Sequence, residues 1–238
     1  MCTLSWRVDE ELTVFFNRDE LKTRNTAKVP QKFRATNGTH YLSPIDPDGG
    51  GTWMFANEHG IVACLLNRWH LESSLKGSPT APKSRGQIVL ALAGLSELSP
   101  LQPFLTELSL GAKPYELIAF QGGERRGFSW DGKTVAPFVP KRPLTSSSYQ
   151  FEKVKAARET TFETCSSLED FHNTPAASSA YTVRMNRPDA QTWSRSQLRV
   201  TRERVIWDYW EEFPDLAQES QLHRSTLDRA DETVRVSC

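Results

Sequence analysis

Short runs of β-branched, aromatic and aliphatic residues, set off by charged or Gly/Pro turns, recur along this chain. Cys2 to Val8 and Leu12 to Phe16 read as two strands joined by the acidic turn Asp9-Glu10-Glu11. Residues 21 to 50 carry Pro30, Pro44, Pro47 and the start of a glycine run, and read as a long polar connection, of the kind kept for functional loops or covers. A second hairpin follows, with strands Gly51 to Ala56 and Ile61 to Asn67 around the turn Asn57-Glu58-His59-Gly60. Ser84 opens a helix with Gln87 in the capping-box position and Ile88, Val89, Leu90 and Leu92 behind it. Ser99-Pro100 starts another, with Phe104, Leu105 and Leu108 as its buried side. Strands return at Tyr115 to Phe120, Arg125 to Trp130 and Thr134 to Phe138, the last two joined by Asp131-Gly132. Residues 150 to 172 carry Phe151, Val154, Ala157, Phe162 and Leu168 at helical spacing. Strands at Ala180 to Met185, Gln191 to Val200 and Arg204 to Trp210 complete the pattern. Hairpins dominate and no regular βαβ alternation occurs, which predicts an α+β fold with antiparallel sheets and segregated helices. One domain over residues 1–212 is expected, followed by a polar tail, 213–238, that reads as a short helix or a loose end.

Composition narrows the function. Lys plus Arg and Asp plus Glu both number 29, so no net field recruits nucleic acid or an acidic membrane surface. No apolar run is long enough to span a bilayer, and Trp6-Arg7-Val8-Asp9 interrupts any signal-peptide pattern. The expectation is a soluble, cytoplasmic protein whose partner is a small-molecule substrate or ligand, with the oligomeric state left open.

The four cysteines, Cys2, Cys64, Cys165 and Cys238, form no CxxC pair and match no zinc or disulfide framework. Cys64 sits in an apolar strand and reads as packing, and Cys238 ends a polar segment. Cys2 differs by position. Methionine aminopeptidases remove Met1 before a small residue, leaving a thiol and a free α-amine on one residue. An α-amine titrates near ~7.7–8.0 and can take the proton of a thiol near ~8.5, so nucleophile and base come together without a histidine. Such a site needs a cation beside the sulfur, an anion for the amine and donors for an oxyanion. A hairpin would return Asn17-Arg18-Asp19-Glu20 beside Cys2, and Asn67 ends the later hairpin with an amide to offer. A guanidinium at Arg18 would lower the thiol. Strand-end Arg-Asp pairs more often serve as surface or structural ion pairs.

The stretches MCTLSWR, FFNRDE and GGGTWMFANEHGIVACLLNRW, with the closing strands, resemble the NRDE family, whose animal members are called Transport and Golgi organization 2. Weaker similarity continues to about residue 210. That family resembles N-terminal-nucleophile (Ntn) hydrolases of the cysteine amidase type, which implies a four-layer αββα sandwich of two antiparallel sheets flanked by helices. Carried over, the resemblance makes Cys2 the nucleophile, Arg18 the thiolate partner, Asp19 the holder of the α-amine and Asn67 the oxyanion donor. Two departures stand out. The amidases separate their arginine and aspartate by two residues, whereas Arg18 and Asp19 are adjacent, which would turn Asp19 from the amine and leave Glu20 or Asn17 in its place. Where the family commonly has an asparagine after LS or LT, this chain has Ser146, a shorter donor. Arg195, in TWSRS, is the candidate for the last cation.

The other polar features have bland readings. His40, His59, His70, His172 and His223 are scattered without metal-ligand spacing. Gly49-Gly50-Gly51 lacks the lysine and helix of a phosphate loop and reads as a flexible approach to a strand. Asp46-Pro47-Asp48 reads as a solvated turn, and the tryptophans as core or edge positions. Two functions therefore stay open. One is a cysteine amidase or acyl-transfer hydrolase on a small amide or thioester, which requires no cofactor. The other, also implied by the resemblance, is a non-catalytic carrier of haem or of a lipid or acyl-CoA in the same pocket.

Overall fold

Alternation along the first strand, β1 (Cys2–Val8), sorts its side chains by parity. Leu4 and Trp6 join the central apolar cluster, with Cys2 packed at its edge, while Thr3 and Ser5 are buried on the opposite face. The computed structural model describes residues 1–72, 83–213 and 218–230. After β1 come β2 (Leu12–Leu21), β3 (Lys28–Arg34), β4 (His40–Ile45), β5 (Met54–Asn57), β6 (Val62–Asn67), α1 (Trp69–Glu72), α2 (Arg85–Ala91) and α3 (Leu101–Leu108). The second half holds β7 (Tyr115–Gln121), β8 (Glu124–Trp130), β9 (Val135–Phe138), β10 (Leu144–Ser146), α4 (Phe151–Thr164), α5 (Leu168–His172), β11 (Ala190–Val200), β12 (Arg204–Glu211) and β13 (Gln221–Asp228).

The strands form two antiparallel sheets, one of six in the order β10-β1-β2-β11-β12-β13 and one of seven running β3 to β9. Their facing sides interdigitate: Leu4, Val14, Phe16, Leu198 and Trp207 meet Leu42, Met54, Val62, Ile118 and Phe120. Each such side chain contributes on the order of 1.5–3 kcal/mol by burial. The outer face of the seven-stranded sheet packs Phe55, Ala63, Leu117 and Ala119 against Ile88 and Val89 of α2 and Leu101 and Leu105 of α3. Helices α4 and α5 lie against the six-stranded sheet, at β10 and β2. The architecture is an α+β, αββα sandwich. No helix among the described residues is long and apolar enough to cross a membrane.

Several elements differ from expectation, each for a local reason. β2 runs past Phe16 to Leu21, because β11 pairs its far side from Leu12 to Leu21 and buries Asn17, Arg18 and Asp19 inside the sheet. The connection over residues 21 to 50 holds the hairpin β3–β4, whose outer strand is an edge with little apolar content. In α3 the buried residues are Leu101 and Leu105, and Phe104 faces outward. The helix expected over 150 to 172 breaks at Cys165, after which Ser167 caps α5 through the Asp170 N–H at 3.0 Å. Residues 180 to 185 form no strand; Ala180 and Met185 pack with Met1, Val154 and Ala190 instead. The last segment, expected to be helical or loose, contributes β13, paired with β12 from Gln221 to Asp228.

Candidate active site

The start of β1, the end of β2, the β5–β6 hairpin and the residues leading into α2 enclose a cavity of about 370 Å³, lined in part by Cys2, Arg18, Trp53 and Asn67. Register makes this possible. Cys2 stands opposite Arg18 on one side and opposite Ser146 on the other, and side chains of directly opposed residues share a face. The Ser146 hydroxyl donates to the Asn67 carbonyl at 2.6 Å, tying β10 to the end of β6 across the two sheets. The structure thus brings Cys2, Arg18, Asn67 and Ser146 into one neighbourhood.

Asp19 is adjacent to Arg18 along the strand, so its carboxylate turns to the other face. There it accepts from Arg158 Nη2 at 3.0 Å and Thr192 Oγ1 at 2.7 Å, with both members of the ion pair fully buried. Only its main chain meets the amino terminus: the Met1 amine donates to the Asp19 carbonyl at 3.0 Å, and the Asp19 N–H donates to the Met1 carbonyl at 2.9 Å. Because Met1 and Asp19 exchange both bonds, Cys2 and Arg18 are the non-hydrogen-bonded pair, and the Cys2 nitrogen faces β10. The expected carboxylate–amine contact is therefore not made in the chain that retains Met1. Asn17 is no substitute, since its amide donates to the carbonyls of His172 and Val183. Glu20 lines the cavity, with its carboxylate 3.7 Å from Arg18.

Arg195 is corrected outright. It pairs with Asn17 rather than Arg18, so alternation directs it away from the cavity. Its guanidinium bonds Glu212 and Asn173 and lies 5.1 Å from the Trp210 ring centre.

The Cys2 thiol is pushed up from its ordinary range, chiefly by burial. The terminal ammonium opposes that rise, the Asp19 carboxylate adds to it, and the Asp19 N–H and lastly Arg18 pull it down. The expected lowering by Arg18 is present but is the last of these influences. Its guanidinium lies 4.5 Å from the Trp53 ring centre and 3.7 and 3.8 Å from the carboxylates of Glu20 and Asp46, so its charge is already shared.

Further cavity residues went unrecognised in the sequence. Asp46, read as part of a solvated turn, binds Arg24 at 2.6 Å and lines the cavity. Arg85 lies 5.0 Å from the Trp69 ring centre and 2.6 Å from Glu72, and Lys83 and Lys113 also line the wall. The glycine run has a packing role: a Cβ on Gly51 would stand 2.4 Å from the Gly86 carbonyl carbon, so only glycine lets this strand approach α2. A separate constellation, Ser5 Oγ to His172 Nε2 and His172 Nδ1 to Asn17 Oδ1, both 2.8 Å, has the spacing of a nucleophile, base and orienter. All three side chains are sealed from solvent, so it is a structural network. Among the described residues, no group of three or more His, Cys, Asp or Glu could hold a metal.

Residues 1–195 match the family described as Transport and Golgi organisation 2. The chain belongs to that family. A search of curated proteins finds no match to this Transport and Golgi organisation 2 member. Solved structures similar to it include the C2A mutant of the conjugated bile acid hydrolase from Clostridium perfringens, with 12% identity, a TM-score of 0.51, and coverage of 98% of this chain and 97% of that one. The R18L variant of the same hydrolase gives 12% identity and a TM-score of 0.52, with 97% of each chain covered. At that identity the likeness establishes a shared Ntn-hydrolase fold.

Proposed function

We propose that the mature chain begins at Cys2 and that Cys2 is the nucleophile of an amidase or acyl-transfer hydrolase acting on a small amide or thioester. The observation that carries this reading is the register that sets Cys2 opposite Arg18, with Asn67 lining the same cavity. In the proposed cycle the freed α-amine takes the thiol proton and the sulfur adds to the carbonyl carbon. The Asn67 amide receives the developing oxyanion. Collapse expels the amine or thiol, which leaves with the proton held by the α-ammonium. Water then cleaves the S-acyl bond, giving its proton to the same amine and releasing the acid and the free thiol. The cycle needs no cofactor. Loss of Met1 also moves the terminal amine onto Cys2 itself, strengthening an influence that already pulls the thiol down. Incubation with S-phenyl thioacetate should add one acetyl group at Cys2, and Cys2→Ala should remove it. Failure to trap any acyl group on Cys2 in chain lacking Met1 would overturn the reading.

One observation favours the second reading, carriage of haem or of a lipid or acyl-CoA without turnover. Met1 is buried against Val154, Ala180, Met185 and Ala190, and its sulfur accepts the Ser147 hydroxyl at 2.7 Å, a setting suited to a retained residue. No histidine lines the cavity among the described residues, and Cys2 is the candidate iron ligand there. Haem titration tests this version: a Soret band that saturates near one equivalent and shifts in Cys2→Ala supports it.

A further inference from the structure

Two ion-pair networks face the cavity, and their charges do not balance in the same sense. Arg18 and Arg24 sit among Glu20, Asp46 and Asp48, two cations to three carboxylates. On the α2 side, Arg85 and Lys113 share the single carboxylate of Glu72 at 2.6 and 3.0 Å. Lys83 adds a third cation, whose ammonium donates to the Leu108 carbonyl at 2.8 Å. Among the described residues the α2 side thus carries three cations to one carboxylate. Arg85 is mostly buried, held by Glu72 and by the Pro114 carbonyl at 3.0 Å, so its charge is only partly screened by solvent. Arg85 lines the same cavity as Cys2 and Glu20.

We infer that the α2 wall, through Lys83, Arg85 and Lys113, takes an anionic group of the substrate, a carboxylate, phosphate or sulfonate, while the acid-rich network at the end of β2 turns such a group away. The inference rests on the cavity being the site proposed above. It adds that the ligand is polarised: its acyl carbonyl lies at Cys2 and its negative charge lies toward α2. A cation offered to the same wall meets net repulsion, so charge decides orientation before any shape-specific contact is made.

Paired thiol reagents test this on the full chain. Sulfonatoethyl methanethiosulfonate carries an anion and trimethylammonioethyl methanethiosulfonate a cation. Each forms a mixed disulfide as the thiolate displaces methanesulfinate. The anion-to-cation rate ratio at Cys2, read by peptide mapping, should exceed that at Cys165 in the same molecule. A unit charge roughly 7 Å away across water changes a rate about threefold, so each of Lys83→Gln and Lys113→Gln should lower the ratio about sevenfold. The combined charge reversal Lys83→Glu/Lys113→Glu should invert the preference, and added salt should compress every difference. A Cys2 that reacts at a ratio indifferent to both lysines overturns the inference and leaves the nucleophile reading standing. A Cys2 silent to both reagents while Cys165 reacts sinks the nucleophile reading. The wall is then decided by sodium pyrophosphate at constant ionic strength, which should raise the unfolding midpoint of the parent chain and not that of Lys83→Gln/Lys113→Gln. Equal responses of the two would overturn the inference.

Discussion

Arg158→Met strands the Asp19 carboxylate in the interior. In the parent structure that carboxylate rests on Arg158 at 3.0 Å and Thr192 at 2.7 Å, and Arg158 is held further by Thr3 Oγ1 at 2.5 Å and the Ala180 carbonyl at 3.4 Å. Neither charged side chain has any solvent exposure. Breaking one half of such a pair costs about 3–5 kcal/mol, because the survivor keeps a buried charge without a counterion. Against a typical total of roughly 5–15 kcal/mol, either Arg158→Met or Asp19→Asn should leave a marginal protein. At ~2–4 °C per kcal/mol for a chain of this size, the midpoint should fall by about 6–20 °C. The double variant Asp19→Asn/Arg158→Met should be no less stable than either single one, since it leaves no orphaned charge. Urea unfolding of the four species closes the cycle and should yield a coupling of at least about 3 kcal/mol, the size of one single loss. Asp19 would instead act on the amine if Asp19→Asn kept full stability yet abolished Cys2 acylation. That outcome would refute the assignment of its carboxylate to the helical layer.

Other consequences are equally specific. His172 is held down to about 3 by burial and by the nearby Arg195 and Arg158 charges, against an ordinary value near 6.5, so it stays neutral in the fold while the unfolded chain takes a proton. Its contribution is therefore complete above about pH 6.5 and is lost toward pH 3 at up to about 1.4 kcal/mol per unit; His172→Gln should flatten that slope in acid unfolding curves. Gly51→Ala should cost about 1–3 kcal/mol by driving a methyl group into the Gly86 main chain, measured as a lowered urea midpoint. Arg18→Ala should slow Cys2 alkylation at neutral pH by less than about tenfold, because Arg18 is the weakest of the influences on that thiol. Cys64, fully buried and pushed far up by burial, should resist labelling until the chain unfolds.

The sequence made the frame of the site legible because its signals were local. The acidic turn after Val8 sets the β1–β2 hairpin, and the hairpin alone brings Arg18 opposite Cys2. Asn67 followed from the second hairpin in the same way. The failures were non-local. Adjacency to Arg18 was enough to turn Asp19 from the amine, but its partner on the other face, Arg158, lies far along the chain on a helix whose other residues gave no hint of an ion pair. Arg195 depended on a one-residue register in β11, where a bulge between Thr192 and Ser194 decides which side chains face β2's cavity side. The α2 wall combines Lys83, Arg85, Lys113 and Glu72, four positions that no spacing rule connects. The β3–β4 hairpin escaped notice because its edge strand is mostly exposed and therefore reads as a polar loop.

Intact mass of the full chain purified from cells with normal aminopeptidase activity, before and after S-phenyl thioacetate, tests the central claim most directly. The account predicts a chain that lacks Met1 and gains a single acetyl group, mapped to Cys2 and absent from Cys2→Ala. A chain that keeps Met1, with Cys2 unmodified by the thioester, would contradict it and leave the cavity as a binding site.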